Sequence, residues 1–313
     1  MQKYFWLYSL KWGILTAVGV LGFWNIYQTN AQSISPTDYV LNASTTIIHT
    51  QPNAVTPITI SVRNTSDIAW DSATLQLGTV FSTGDKNRVS IWKTDSWLSP
   101  TRIGLAGERR NIFSNRTSDF SFNMKAPERT GQYKEYFQLA NGGQWLTGEP
   151  IVVTITVGDI LAVQSFNTRE VQIYRKGQVG EWLESGFVVA TLPISSGKSG
   201  YTTPAGKYTI MNHIPDAYSS KYALWMPNWM GLSSVKNGFR GYGMHSLPYW
   251  KVNPAKYEEG KVYAGGRLYT KGRLYEGYSH LGRPVSHGCV RWGIAESAIM
   301  YAWAPNGTPV TVI

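Results

Sequence analysis

The feature that most limits the fold of this chain is a series of short segments in which apolar and polar residues alternate. The clearest are Ile58–Val62, Phe120–Met124 and Ile151–Val157, and turn-forming residues stand between them. Side chains of a strand point alternately to opposite faces, so this period of two predicts half-buried strands. The 31 Gly, 15 Pro, 13 Trp and 19 Tyr also favour strands and tight turns over long helices. The sequence therefore predicts an all-β (mainly β) protein.

Length and patterning divide the chain into two β-rich regions. The 313 residues are enough for two domains of about 150 residues each. Residues 38–157 show strands at the spacing of an antiparallel β-sandwich, whose aromatic side chains are expected to pack in the core. Only Ile294–Trp303 has helical spacing, and Pro305 follows as a stop. Residues 158–313 contain further predicted strands at Val171–Arg175, Phe187–Leu192, Lys207–Met211 and Pro309–Ile313.

The first 31 residues predict an export signal. Lys3 and Lys11 flank a short apolar start, and Trp12–Tyr27 contains no Lys, Arg, Asp or Glu. The small residues in Thr29–Ala31 suit cleavage by a signal peptidase, whereas the apolar stretch counted from Tyr4 is long enough for an uncleaved membrane anchor. Both alternatives place the rest of the chain outside the cytoplasm, as a secreted, wall-associated or membrane-anchored protein. A membrane is expected to contact only this N-terminal segment.

Charge and cysteine content narrow the partners and the chemistry. The 29 Lys and Arg exceed the 19 Asp and Glu, which gives a formal net charge of +10. That charge suits an anionic partner such as nucleic acid, a membrane surface or a wall polymer, without choosing among them. The single cysteine, Cys289, excludes an intramolecular disulfide and a cysteine-cluster metal site. An unpaired thiol in an exported chain calls for an explanation.

The segment Ser286–Arg291 reads Ser-His-Gly-Cys-Val-Arg and offers that explanation. Cys289 comes before the predicted helix, and the helix dipole would favour its thiolate. His287 would share a face with Cys289 in an extended segment. Gly288 would let the backbone approach a substrate, and its N–H together with that of Cys289 could bind an oxyanion. We interpret Cys289 as reactive, with a buried and inert cysteine as the alternative.

A second histidine can serve as the base if His287 does not. His245 lies on a predicted strand within Tyr-Gly-Met-His-Ser. His49 and His213 have no comparable context and are interpreted as structural. His280 is close in sequence to the cysteine segment, and it could be either a structural residue or part of the site.

With these residues the sequence resembles the L,D-transpeptidases, the YkuD-type cysteine enzymes of peptidoglycan. The resemblance covers residues 158–313 and rests on Ser286–Arg291, His245, Leu281–Pro284 and Thr203–Tyr208. The preceding region resembles an immunoglobulin-like module of bacterial surface proteins, through Asn64–Trp70, Trp97, Gly131–Leu139 and Trp145. The resemblance thus implies an immunoglobulin-like β-sandwich over 38–157, followed by a β-rich catalytic domain with one or two short helices.

The resemblance also implies a role for each residue of the motif. Cys289 would be the nucleophile and His245 the base, and the Ser246 carbonyl would orient the imidazole. His287 and Gly288 would shape the oxyanion pocket. Substrate contacts are expected from Arg291, Tyr242, Ser286 and Tyr249, and support of the loop is the alternative for Arg291.

One departure from the family lies between His245 and Ser286, which are separated by forty residues where relatives usually have far fewer. Most of this insertion, Leu247–Pro284, is rich in Tyr, Gly and basic residues. Such a segment suits a mobile lid over the site. The alternative is a packed β-hairpin with Gly265-Gly266 as its turn.

The implied reaction is acyl transfer on peptidoglycan stem peptides, in cell wall biogenesis and the maintenance of cell shape. The bond after the third stem residue is cleaved, and the acyl group passes to an amine to form a 3→3 cross-link. No cofactor, metal or nucleic acid is implied, anionic wall polymers are a second class of partner, and a monomer is expected. The alternatives are an L,D-carboxypeptidase, protein-to-wall anchoring, a zinc hydrolase using His245, His287 and Cys289, and a non-catalytic wall-binding protein.

Overall fold

The computed structural model describes residues 38–41, 47–105, 107, 110–159, 168–234 and 238–313. All of them belong to one unit of the chain, Pro36–Ile313. The export signal predicted for residues 1–31 lies outside the described residues. Within the described ranges, no helix combines the length and apolar character needed to cross a membrane.

The first region consists of strands in which exposed and buried residues alternate as the sequence predicts. Along β8, for example, every second side chain is buried over nine residues. The strands of this region are β1 Tyr39–Leu41, β2 Ile47–Thr50, β3 Val55–Asn64, β4 Trp70–Asp71, β5 Leu75–Val80, β6 Arg102–Gly104, β7 Asn111–Ile112, β8 Thr117–Lys125, β9 Gly131–Asn141, β10 Gln144–Trp145 and β11 Ile151–Val157.

Two sheets of this region enclose a common core. One sheet has the order β1-β3-β8, and β5, β9, β11 and β2 pair side by side in the other. Ile60 and Phe120 from the first sheet and Leu77, Phe137 and Val153 from the second are buried in the same apolar cluster. The strand prediction for this region is confirmed, and the immunoglobulin likeness stays a prediction.

The second region is also built from strands, with one α-helix among the described residues. Its elements are β12 Arg169–Tyr174, β13 Val179–Glu184, β14 Phe187–Pro193, β15 Gly206–Ser219, β16 Leu224–Ser234, β17 Gly238–Ser246, β18 Tyr249–Lys251, β19 Val262–Tyr263, β20 Arg267–Thr270, β21 Arg273–Tyr275, β22 Val290–Trp292, α1 Ile294–Trp303 and β23 Pro309–Val312, with short 3-10 turns at Pro254–Lys256, Ala264–Gly266 and Tyr278–His280. Of the residues that the structure describes, 52% lie in strands and 8% in helices. The all-β prediction is confirmed, and α1 begins and ends at the predicted residues.

The strands of this region that escaped prediction include β13 and β16, whose sequences do not alternate. The four central residues of β13 are buried in succession, so no period of two is visible. The strand β16 contains Pro227, a residue that normally argues against a central strand. It pairs with β15 in a long hairpin that continues well beyond the predicted Lys207–Met211, as far as Ser219 opposite Leu224.

A second apolar core lies under α1 and contains several large rings. Trp182, Trp292 and Trp303 are almost completely buried in it. Trp292 lies directly on Gly180, where an added Cβ would be 2.1 Å from a ring carbon. Two other tryptophans cover glycines in the same way. A Cβ would lie 2.6 Å from the ring of Trp229 at Gly243, and 2.2 Å from the ring of Trp145 at Gly78.

The two regions share side-chain contacts across their boundary. Phe81 of the first region belongs to the second core, where its ring stacks on Trp182 with centroids 5.3 Å apart. Leu183 and Val188 of the second region are buried in the first core. Arg129 also forms a 2.6 Å ion pair with the buried carboxylate of Glu181. The second region is therefore packed against the first rather than linked to it by the chain alone.

Phe81→Ala is expected to lower the free energy of unfolding by about 3–5 kcal/mol, because it leaves a cavity next to Trp182. Phe113 offers a matched control, since its side chain is 60% exposed. Phe113→Ala should change stability by less than about 0.5 kcal/mol. Urea unfolding followed by circular dichroism measures both variants. Equal effects of the two substitutions would contradict the packing described for Phe81.

Candidate active site

The parallel strands β17 and β22 carry the predicted catalytic residues to one cleft. In their register Met244 lies opposite Val290 and His245 opposite Arg291. Met244 and Val290 are completely buried in the second core. Because side chains alternate along a strand, the neighbouring residues His245, Arg291 and Cys289 point to the other side. A cleft of about 610 Å³ opens there, and its lining includes the predicted site residues Tyr242, His245, Ser286, His287, Cys289 and Arg291.

The loop before Cys289 is held by hydrogen bonds within itself. The Ser286 hydroxyl donates to the Cys289 carbonyl oxygen at 2.5 Å and accepts from the Gly288 N–H at 3.1 Å. Gly288 has a φ of +118°, and a Cβ there would lie 2.7 Å from the ring of Tyr242. Ser286 lines the cleft but is buried and holds the loop, and the Gly288 N–H is engaged by the Ser286 hydroxyl. The substrate contact expected of Ser286 and the oxyanion role expected of Gly288 stay predictions.

Thr203 fixes this loop from a second side. Its hydroxyl donates to the Gly288 carbonyl oxygen at 2.8 Å and accepts from the Gly197 N–H at 3.0 Å. The side chain is buried. Sequence analysis gave Thr203 no role, although Thr203–Tyr208 was part of the family resemblance. We therefore identify Thr203 as a residue that positions the cysteine loop.

Thr203→Val is expected to destabilise the protein and slow acylation of Cys289. The substitution keeps the size of the side chain but leaves two buried backbone groups unpaired, at about 1–3 kcal/mol each. Thr203→Ser keeps the hydroxyl and is the matched control. Thermal unfolding and the rate of acylation are measured for both variants. The same acylation rate in the Val and Ser variants would show that the hydroxyl does not position the loop.

His245 is buried and its imidazole is fixed in one tautomer. Its Nδ1 lies 2.5 Å from the Ser246 carbonyl oxygen. A carbonyl can only accept, so Nδ1 carries the hydrogen and Nε2 is left as an acceptor. The pKa of His245 is lowered to about 3, mainly by burial and also by the charge of Arg291, while the Ser246 carbonyl acts in the opposite direction. The ring also stacks on Trp229, with centroids 5.9 Å apart. His245 is therefore a neutral imidazole at neutral pH.

Folding stability is expected to fall as the pH is lowered from about 6.5 towards about 3. Over that range the unfolded chain protonates His245 while the folded protein keeps it neutral, since its folded pKa is about 3. The contribution is at most about 1.4 kcal/mol per pH unit. His245→Gln, which does not titrate, should remove it. Urea unfolding of both proteins at pH 7 and pH 5 gives the comparison, and parallel losses in the two proteins would contradict the expectation.

Cys289 is a protonated thiol in the resting protein. It is half-buried, with Sγ 3.9 Å from the Gly241 carbonyl oxygen. Burial raises the pKa of Cys289, and the Gly243 backbone and the charge of Arg291 oppose this only in part. The expectation that a helix N-terminus stabilises a thiolate is wrong. The strand Val290–Trp292 and then Gly293 separate Cys289 from the start of α1, and a helix dipole acts only over its first turn.

His287 is exposed at the mouth of the cleft and lies between two tyrosine rings. It stacks on Tyr222 and meets Tyr201 edge-on, in each case with centroids 4.7 Å apart. Partial burial, followed by the charges of Lys198, Arg291 and Lys221, lowers the pKa of His287. His287 thus remains at the site but is held less firmly than His245.

Arg291 and Tyr249 serve the framework of the site. One guanidinium nitrogen of Arg291 lies 2.9 and 2.8 Å from the two carboxylate oxygens of Glu276. This contact favours loop support over substrate binding for Arg291. Tyr249 is fully buried, donates a 2.5 Å hydrogen bond to Asp216 and does not line the cleft. The expectation that Tyr249 contacts substrate is therefore corrected. Glu276 was missed because it lies in the insertion, outside any motif.

The insertion is folded into short strands, and its role as a lid, which a hairpin could also perform, stays a prediction. Its strands β19 and β20 form a hairpin whose turn includes Gly265 and Gly266, both with positive φ, which confirms the predicted turn. Its cleft-lining residues are Pro248, Trp250 and Glu276. The opposite wall comes from the end of the β15–β16 hairpin, which supplies Ser219, Lys221, Tyr222, Leu224 and Met226. Among the described residues, no three His, Cys, Asp or Glu side chains are grouped to hold a metal ion.

Comparison with known proteins finds one matching family model and several similar solved structures. Residues 167–312 match the YkuD model, the L,D-transpeptidase catalytic domain. Solved structures similar to this chain include three L,D-transpeptidases. The one from Stackebrandtia nassauensis is 20% identical over 48% of this chain and 57% of that chain, with a TM-score of 0.33. One from Mycobacterium smegmatis is 15% identical over 89% and 100%, with a TM-score of 0.32. One from Mycobacterium tuberculosis H37Rv is 14% identical over 88% and 96%, with a TM-score of 0.34.

This chain spans only 57% of the length of the Stackebrandtia nassauensis chain. Among curated proteins it has no significant match. The family model covers both strands of the site, the cysteine loop and the β15–β16 hairpin. Residues 167–312, which carry the whole cleft, are therefore the part of the chain that is similar to the YkuD-type L,D-transpeptidase catalytic domain.

Proposed function

We propose that this protein is a peptidoglycan L,D-transpeptidase in which Cys289 is the nucleophile and His245 the general base. The observation that carries the proposal is a neutral imidazole, oriented by the Ser246 carbonyl, in the cleft that holds the only thiol of the chain. The match of residues 167–312 to the L,D-transpeptidase catalytic domain model supports the class of reaction. The predicted export signal in residues 1–31 supports a position outside the cytoplasm, where the cell wall is built.

In the first half-reaction, Nε2 of His245 accepts the thiol proton as Cys289 Sγ attacks the carbonyl carbon of the third stem residue. Cys289 starts as a protonated thiol because its pKa is raised, so a base must act in the same step. The imidazolium that forms is stabilised by the hydrogen bond from Nδ1–H to Ser246. With the Gly288 N–H occupied by Ser286, the backbone N–H of Cys289 is the oxyanion donor that remains in the loop.

The tetrahedral intermediate then collapses to a thioester. The C–N bond breaks, the His245 imidazolium returns its proton to the leaving amine, and D-alanine departs. The side-chain amine of a second stem attacks the thioester and gives one proton to His245. Release of the Cys289 thiolate, which takes that proton back, leaves a 3→3 cross-link and the starting enzyme.

The test is to incubate the full chain with a tetrapeptide stem and to identify the products by mass spectrometry. We expect one D-alanine to be released for each cross-linked dimer. A stem that lacks the fourth residue is the control, because it can accept an acyl group but cannot donate one. Release of D-alanine with only tripeptide formed would assign an L,D-carboxypeptidase instead. No release of D-alanine by folded protein would overturn the proposal.

A further inference from the structure

Five side chains at the mouth of the cleft form an arc centred on His287, in the order Lys198, Tyr201, His287, Tyr222, Lys221. The two tyrosine rings flank the imidazole at 4.7 Å. Each lysine ammonium lies 5.4 Å from the centroid of the tyrosine ring next to it. The arc therefore presents two ammonium groups, one on each side of His287. His287 itself is two residues before Cys289 in the chain.

Neither ammonium of the arc is neutralised by an acidic side chain in the part of the chain that the structure describes. The described ion pairs include neither Lys198 nor Lys221. The carboxylate that lines the cleft, Glu276, is already shared between Arg291 at 2.8 Å and His280 at 3.2 Å. The charges of both lysines are also felt at His287, whose pKa they help to lower. The mouth of the cleft is thus a region of uncompensated positive charge.

We propose that Lys198 and Lys221 bind a carboxylate of the acyl-donor stem, so that the enzyme selects donors with a free carboxylate beside the scissile bond over their amides. The inference rests on the proposed function. Lysine suits this task because its ammonium is a compact charge on a flexible stem, able to follow a peptide carboxylate. Each lysine ammonium lies 5.4 Å from the centroid of a tyrosine ring of the arc, and this cation–π contact favours a position near that ring. Two carboxylates of a donor could reach the arc, one on the side chain of the third residue and one on the terminal D-alanine.

Binding without turnover tests the proposal. Cys289→Ala protein is titrated by calorimetry with three tetrapeptide stems, which are the free acid, the side-chain amide of the third residue and the C-terminal amide. We expect one amide to bind about 10-fold more weakly than the free acid, the usual loss for one charge-assisted contact. The amide that weakens identifies the carboxylate. Equal affinity for all three stems would overturn the proposal.

Variants of the two lysines of the arc show which of them binds the carboxylate. Lys198→Gln and Lys221→Gln are made in the Cys289→Ala protein. In each, the ratio of the Kd of the amide stem to that of the free acid should fall, and in the double variant this ratio should approach 1. Lys256→Gln is the matched control, because Lys256 is an exposed lysine of the insertion that does not line the cleft. It should keep the full preference. A double variant that still prefers the free acid would also overturn the proposal.

The failure of this inference can be separated from failure of the proposed function. Wild-type protein is incubated with each stem, and thioester formation at Cys289 is followed by intact mass. A thioester that forms with acid and amide stems at equal rates and equal KM rejects the role of the arc and leaves the reaction standing. A thioester that forms with none of the stems rejects the proposed function itself.

Discussion

Cys289→Ala is expected to abolish acyl-enzyme formation, with a loss of activity of about 10⁴-fold or more, as is typical when a nucleophile is removed. The chain has no other cysteine that could take over. Sγ makes only weak contacts, such as the one at 3.9 Å to the Gly241 carbonyl oxygen, so its removal should leave the fold intact. The measurement is intact mass after incubation with a carbapenem, whose β-lactam carbonyl mimics the scissile amide. Wild-type protein should gain one adduct and the variant none.

Two controls make this result interpretable. Circular dichroism and thermal unfolding should be the same for Cys289→Ala and the wild type. Cys289→Ser keeps the geometry but replaces the thiol with a hydroxyl of much higher pKa, so it too should be almost inactive. Release of D-alanine at the wild-type rate by the Ala variant would exclude Cys289 as the nucleophile.

His245→Gln is expected to slow acylation by about 10²–10⁴-fold, the usual effect of losing a general base. The change should also alter the pH profile. In the wild type, His245 stays neutral down to its pKa of about 3, so acylation should vary little between pH 5 and pH 8. Without the base, the rate depends on the small fraction of thiolate. Because burial raises the pKa of Cys289, that rate should rise about tenfold per pH unit throughout this range.

His287→Gln separates this role from a general effect of histidine loss. His287 is exposed and has no carbonyl clamp like that of His245, so its variant should keep the flat pH profile. The wild type and the two histidine variants are distinguished by the rate at which an uncharged acylating reagent modifies the Cys289 thiol, measured from pH 5 to pH 9. A flat profile in the His245 variant together with a steep one in the His287 variant would exchange the two roles.

Some elements of this fold could be predicted from local sequence because one face of the element is buried and the other is exposed. Ile151–Val157 was predicted to the residue, and every second side chain of that strand is buried. Ile294–Trp303 was predicted because its apolar spacing ends before Pro305. The strand β13 has no exposed side among its central residues, and the continuation of β15 beyond Met211 includes Pro215 and Asp216. Such segments take their conformation from the strand beside them, which local periodicity does not show.

Some residues of the cleft could be predicted from local sequence, and others could not. Cys289 and His287 were predicted from the short motif Ser286–Arg291, and His245 from the separate segment Tyr242–Ser246. Thr203 was missed because it reaches Gly288 from a distant part of the chain. Glu276, which contacts Arg291, was missed because it lies in the insertion, outside any motif. Tyr249 was misassigned for a related reason. Its hydroxyl is used by Asp216 inside the protein, and a sequence does not show which tyrosines have a buried partner.

The tryptophans that lie on glycines also have a consequence for the evolution of this protein. In the pairs Gly180 with Trp292 and Gly243 with Trp229, the ring occupies the space that any Cβ would need. The two positions of a pair are therefore expected to co-evolve, because the glycine can be replaced only after the tryptophan has been replaced by a smaller residue. In a saturation library, substitutions at Gly243 should be lost as completely as those at His245, because a displaced Trp229 no longer supports the imidazole on which it stacks. Among descendants of this sequence, Gly243 and Trp229 should be kept together or replaced together.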